Sequence, residues 1–200
     1  MSSKKSKIIG FDLDDVLLNF NDNLYLYHNN VYGTNYKRKY ITSHNLSLIW
    51  QCTQKEATKK LDDFYYSQPH FDALPVEGAV EGVKALDKNH RLFIVTSRPK
   101  EIREMTLRWL DLHFPNMFND VYFINHFQGT GKKRTKGEIC RELGVQVFVD
   151  DVLEYAQTIS DAGIPVLLYD TPWNQGETGS LMTRVYSWPE IVSKLNSDEY

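Results

Sequence analysis

From Val76 to the end of the chain, short apolar runs alternate with stretches of helical spacing, and this alternation restricts the fold more than any other feature. Apolar runs at 92–95, 121–124, 145–149 and 166–169 predict strands, each too short to be a globular helix. Helical spacing predicts helices over about 77–87, 101–113, 136–143 and 153–162, with a last one beginning near Pro189. A further apolar run at 8–11 follows a lysine-rich leader and predicts the first strand. Strands separated by helices of about ten residues form a parallel sheet with helices on both faces, so the expected fold class is α/β.

Between about Asn19 and Pro75 the pattern changes. This stretch holds eleven aromatic residues, from Phe20 to Phe71, among polar ones. Helical spacing shows in Leu46, Ile49 and Trp50, and again in Leu61, Phe64 and Tyr65, which predicts several short helices. The expected division is a core of residues 1–18 and 76–200, interrupted by a helical insertion over 19–75.

In parallel sheets of this kind ligands bind beyond the carboxyl ends of the strands. Three of the predicted strand ends carry polar groups: Asp12, then Thr96-Ser97, then Asp150-Asp151. Asp12 is also followed closely by Asp14 and Asp15. Alternation along an extended chain turns Asp12 and Asp14 to the same side, where two like charges need a metal between them or one proton retained. Either state suits phosphoryl chemistry, with one carboxylate as nucleophile and a protonated one as general acid. The bland alternative is a set of surface acids capping a helix at Asp14 or Asp15. Polar groups at two other strand ends weigh against it. The basic segment Gly129–Thr135 lacks the glycine spacing of a nucleotide-binding P-loop.

Two hundred residues with 42% hydrophobic content suit one domain, or a domain with a modest insertion. A net charge of −3 and a pI near 6.1 argue against a nucleic-acid partner, though a small anionic substrate is still allowed. Cys52 and Cys140 lie far apart without metal-ligand spacing, so reduced thiols in a reducing compartment are expected. No signal-peptide pattern follows the leader, and no apolar run is long enough to span a bilayer. A cytoplasmic protein without a membrane partner is therefore expected, as monomer or homodimer.

The segment Asp12-Leu13-Asp14-Asp15-Val16, the hydroxyl pair Thr96-Ser97, a downstream lysine and the pair Asp150-Asp151 resemble, in order, the four motifs of the haloacid dehalogenase (HAD) superfamily of phosphohydrolases. The resemblance implies a Rossmann-like core and identifies the insertion as a cap over the site. It implies Asp12 as the nucleophile that forms an aspartyl-phosphate, and Asp14 as the acid and base. Thr96, assisted by Ser97, would hydrogen-bond the phosphate. Lys136 would neutralise its charge, with Lys132 and Lys133 as alternatives. A Mg²⁺ ion would be held by Asp12, Asp151, the backbone carbonyl of Asp14 and, through water, Asp150. Hard oxygen donors and a substrate phosphate suit magnesium. Alternatively, Asp151 caps the helix beginning at Val152.

A narrower resemblance, to the cytosolic type C 5′-nucleotidases, rests on Phe148-Val149-Asp150-Asp151, the stretch 162–170, Pro172-Trp173-Asn174 and the tail 184–188. It implies a nucleotide as the small-molecule phosphate ester, with one or two insertion aromatics facing it. Asp15 stands where glycine is usual, and Arg98 where proline is usual. Arg98 either contacts the substrate or pairs with a surface acid. Two other functions stay open: a phosphatase of another small ester or of a nucleic-acid 3′ end, and an inactive binding module.

Overall fold

The computed structural model describes residues 6–124, 134–197 and 200. Its strands are β1 (Ile8–Phe11), β2 (Arg91–Thr96), β3 (Asp120–Phe123), β4 (Val147–Asp150), β5 (Val166–Tyr169) and β6 (Met182–Val185). Its longer helices are α1 (Phe20–Tyr32), α3 (Gln54–Tyr65), α5 (Ala79–Asp87) and α6 (Arg103–His113) in the first half of the chain. In the second half they are α7 (Lys136–Leu143), α8 (Leu153–Ser160) and α9 (Trp188–Leu195). Two single turns, α2 (Leu46–Ile49) and α4 (Gln68–Phe71), and a 3₁₀ turn at Arg38–Tyr40 complete the insertion. The strands form one parallel sheet in the order β3-β2-β1-β4-β5-β6, so the expected α/β class with a Rossmann-like sheet is observed.

β1 lies at the centre of this order because the chain leaves it on one side toward β2 and returns on the other as β4. Ile9 pairs with Leu92 and with Val147, which brings the ends of β1, β2 and β4 side by side. That is the topological switch point, where parallel sheets bind ligands. Alternation sorts the core into two faces. Ile9, Phe11, Leu92, Ile94, Val147 and Val149 pack with α5, α6 and α9, whereas Phe148, Val166 and Leu168 pack with α7 and α8. Gly10 is required by this packing, since a Cβ there would lie 2.3 Å from Cδ2 of Phe148.

α9 is tied directly to the turn that carries the acids. Trp188 is fully buried, stacks on Phe11 with ring centroids 5.8 Å apart, and donates from its indole nitrogen to the Val16 carbonyl at 3.0 Å. Truncating such a side chain typically costs about 3–5 kcal/mol.

Where the sequence predicts only short helices in the insertion, α1 runs for thirteen residues and ends at Gly33 in a left-handed conformation, φ 65°. Its buried stripe is Phe20, Leu24, Tyr25 and His28, and a polar member in that stripe obscures the apolar period. α3 opens with a capping box between Thr53 and Glu56. The insertion leaves and rejoins the sheet region at one place: Asn19 N donates to the Leu74 carbonyl at 3.0 Å, and Val76 N to the Leu17 carbonyl at 2.9 Å. β6 is a strand that the apolar pattern does not announce, being a four-residue edge with Thr183 and Arg184 only half buried. No helix among the described residues is long and apolar enough to cross a membrane.

Candidate active site

Beyond Phe11 the ladder continues for one more bond, from Asp12 N to the Val149 carbonyl at 2.8 Å. The chain then folds back tightly: Leu17 N and Leu18 N both donate to the Leu13 carbonyl, and Asp15 N to the Leu18 carbonyl. Asp15 takes a left-handed conformation, φ 55°, where glycine is the ordinary choice and Asp is tolerated. This turn aims Asp12, Asp14 and Asp15 into one cavity.

The end of β4 meets them there. Ligand oxygens of Asp12, Asp150 and Asp151 lie within 4.8 Å of one another, and all three residues are buried. Lys136, at the first position of α7 and fully buried, places Nζ 2.7 Å from Asp150 and 3.0 Å from Asp12. A cation at a helix N-terminus opposes the helix dipole, and these two carboxylates offset that cost. Burial would lower the lysine's pKa, but Asp12 and Asp150 raise it above the usual value. Burial pushes the Asp12 carboxyl up to about 7 against the opposing pull of Lys136, with Asp150 and Asp14 adding repulsion. Burial, with repulsion from Asp15, Asp150 and Asp12, also raises Asp151 well above the carboxylate range.

Asp151 does not cap the following helix: the Val152 amide donates to Asp150 instead, at 3.0 Å. Asp151 Oδ2 accepts from the indole nitrogen of Trp173 at 2.8 Å, and its backbone carbonyl accepts from Asn174 Nδ2 at 2.7 Å. Trp173 and Asn174 thus hold the aspartate in place. Their position in the type C resemblance is the only sequence signal that pointed to them.

The chemistry of the donor set fits a divalent cation. Asp12, Asp14, Asp150 and Asp151 bring four carboxylates against two cations, Lys136 and Arg98. Such an oxygen-only cluster suits a hard ion such as Mg²⁺.

Arg98 pairs with an acid, as one of the two readings has it, but the acid is Asp14 in the site and not one at the surface. Its Nε lies 3.1 and 3.0 Å from the two Asp14 oxygens, and Nη2 lies 2.6 Å from Oδ1. Nη1 donates to Thr106 at 3.1 Å, and the side chain is completely buried. The phosphate-binding pair divides: Ser97 lines the cavity, whereas the Thr96 hydroxyl is buried and accepts from the Arg98 amide at 3.2 Å. Tyr155 hydrogen-bonds Ser97 and lies with its ring centroid 4.6 Å from Lys136 Nζ. Lys132 and Lys133 lie outside the described residues.

The cavity has a volume of about 320 Å³, within the range of small-molecule sites. Its acidic floor faces a wall of Phe20, Tyr65, Tyr155 and Trp173, with the amides of Asn21, Asn45 and Gln54 between. Neither lysine nor arginine lines it among the described residues. The insertion reaches the floor through Arg38, which bonds Asp15 at 2.5 Å and lies 4.6 Å above the Trp173 ring. Asp15 also accepts from the backbone and side-chain nitrogens of Asn21.

A sequence model of the family described as 5′ nucleotidase, deoxy (pyrimidine), cytosolic type C protein matches residues 6–196. The chain belongs to this family. The chain is 25% identical over 193 residues to the Bacillus subtilis (strain 168) protein named "Putative nucleotidase YqfW", covering 96% of this chain and 95% of that relative. Among solved structures, it shares its fold with a haloacid dehalogenase-like hydrolase from Streptococcus pneumoniae, with a TM-score of 0.68 and 15% identity over 98% of this chain and all of that one. A HAD family hydrolase from Deinococcus radiodurans R1, solved with bound phosphate and sodium, gives a TM-score of 0.65 and 16% identity, covering 97% and 96% of the two chains. The chain is thus a hydrolase of the phosphatase class with the fold of HAD hydrolases.

Proposed function

We propose that the chain is a Mg²⁺-dependent 5′-nucleotidase that hydrolyses nucleoside monophosphates through an aspartyl-phosphate. The observation that carries this reading is the cavity itself. Asp12, Asp14, Asp15 and Asp151 line one side, with Lys136 bonded to Asp12 behind them, and rings and amides without a basic side chain among the described lining residues form the rest. Such a wall favours a neutral, flat leaving group. It does not suit a second phosphate or a nucleic-acid backbone, which need cations. Nucleobases stack on aromatic rings for roughly 1–3 kcal/mol each.

In this reading Asp12 attacks phosphorus, and Asp14, its orientation fixed by Arg98, gives a proton to the leaving oxygen. Asp14 then takes a proton from the water that cleaves the aspartyl-phosphate. Lys136 and Ser97 stabilise charge on the phosphoryl oxygens. Asp12, Asp150, Asp151 and the Asp14 carbonyl hold Mg²⁺, which when bound supplies the positive charge that lets an anionic carboxylate approach an anionic phosphate. Residues 19–75 act as the cap that excludes water and contacts the leaving group. The family resemblance and the lack of a membrane-spanning helix among the described residues support a cytoplasmic location.

The test is phosphate release across a panel of nucleoside monophosphates, sugar phosphates and oligonucleotide 3′-phosphates with Mg²⁺. Turnover of the mononucleotides is expected. Turnover confined to sugar phosphates, or to oligonucleotide ends, contradicts the proposal.

A further inference from the structure

Arg38 belongs to the insertion, yet its guanidinium sits in the floor of the core. It bonds the buried Asp15 carboxylate at 2.5 Å and lies over Trp173 with Cζ 4.6 Å from the ring centroid. Trp173 is buried at 7% exposure, and its indole N–H is committed to Asp151 Oδ2 at 2.8 Å. An unbroken series of contacts therefore runs from the insertion to one of the three clustered carboxylates: Asp15 holds Arg38, Arg38 covers Trp173, and Trp173 orients Asp151. Asp15 and Trp173 are also walls of the cavity, so the same side chains meet whatever fills it.

We propose that Arg38 is a positioning residue that couples the seating of the insertion to cation binding at Asp151, acting through Trp173. Arg38 forms ion pairs with Asp15 and Asp22 and not with the clustered carboxylates, although its charge is felt by Asp151. The coupling runs through the indole, whose N–H holds Oδ2 of the Asp151 carboxylate and so limits how that carboxylate can turn. Removing the guanidinium frees the ring to tilt, and the carboxylate with it. Because linkage is reciprocal, a substrate that seats the insertion raises cation affinity, and the cation favours the seated insertion.

The inference rests on the proposed divalent-cation site, and the experiment separates the two. Mg²⁺ binding is measured by isothermal titration calorimetry, without substrate, on wild type, W173F, R38M and W173F/R38M. Partners that orient metal ligands typically contribute 10–100-fold to affinity, so W173F is expected to weaken binding by about tenfold or more. R38M is expected to weaken it by about threefold or more, and to add less than about twofold in the W173F background, since residues in contact are not additive. R38M binding Mg²⁺ as tightly as wild type, or losses that multiply in the double variant, overturns the coupling. Wild type binding no Mg²⁺ overturns the cation site itself, and the coupling with it. Should R38M not fold, R38K keeps a charge for Asp15 but not the guanidinium contact with the indole. A folded R38K with unchanged affinity equally contradicts the proposal.

Discussion

The Arg98 guanidinium grips both oxygens of Asp14 from a fully buried position, at 2.6 to 3.1 Å. Aromatic rings of the insertion, Phe20 and Tyr65, flank the same guanidinium at 5.7 and 5.9 Å. The pair fixes which way the Asp14 carboxylate faces, and the fork of donors is specific to arginine. Arg98→Lys is therefore expected to lower kcat by at least about tenfold, part of the 10²–10⁴ that a positioned acid or base contributes, with a smaller effect on KM. Arg98→Ala leaves a largely buried carboxylate without its partner and is expected to cost about 3 kcal/mol of stability. Steady-state kinetics and urea denaturation check the two effects.

Lys136 owes its position to close packing of α7 on α8. A Cβ on the adjacent Gly137 would lie 2.1 Å from the Thr158 backbone carbonyl oxygen. Backbone cannot swing aside as a side chain can, so Gly137→Ala is expected to push α7 outward and destabilise by about 1–3 kcal/mol. The displacement carries Lys136 away from Asp12. Phosphate release is expected to fall more than the loss of folded protein explains, measured on the soluble, folded fraction.

Much of this site is legible in the sequence, because strand ends in a parallel sheet converge whatever the details between them. Asp12, Ser97, Asp150 and Asp151 each stand at the polar end of an apolar run, and Lys136 matches a family motif. The rest depends on contacts that no local pattern records. Asp15 meets Arg38 across 23 residues of insertion, and Trp173 meets Asp151 across 22. The aspartate at position 15 in place of glycine becomes intelligible only with φ at 55° and with Arg38 and Asn21 bound to its carboxylate. β6 is not legible because a four-residue edge strand with two half-buried members carries too little apolar signal.

Two buried histidines of the insertion, His28 and His70, oppose folding in acid. His28 stacks on Trp50 at 4.6 Å, with Nδ1 2.9 Å from Thr34 Oγ1 and Nε2 3.3 Å from Lys60 Nζ. Burial, with the charge of Lys60, lowers its pKa from 6.5 to about 4. His70 is lowered to about 4 as well, by burial and Arg98, against the opposing pull of Asp14. A histidine with a depressed folded pKa binds fewer protons folded than unfolded between those values, so stability is lost as pH falls from about 6.5 through about 4. The raised carboxyls of Asp12, Asp15 and Asp151 act in the opposite sense, so the histidine contribution is read as a difference between two proteins. Relative to wild type, the unfolding midpoint of His28→Asn/His70→Asn, followed by tryptophan fluorescence, is expected to rise as pH falls from about 6.5 to about 4, and a constant difference contradicts the assignment.

The proposed role of Asp12 is open to direct observation. Enzyme mixed with a nucleoside monophosphate and Mg²⁺ is quenched in acid within one turnover, digested, and its peptides weighed. A phosphoryl group is expected on the peptide containing Asp12, and neither that group nor phosphate release is expected from Asp12→Asn. A phosphoryl group on another residue, or undiminished turnover by Asp12→Asn, contradicts the assignment of Asp12 as nucleophile.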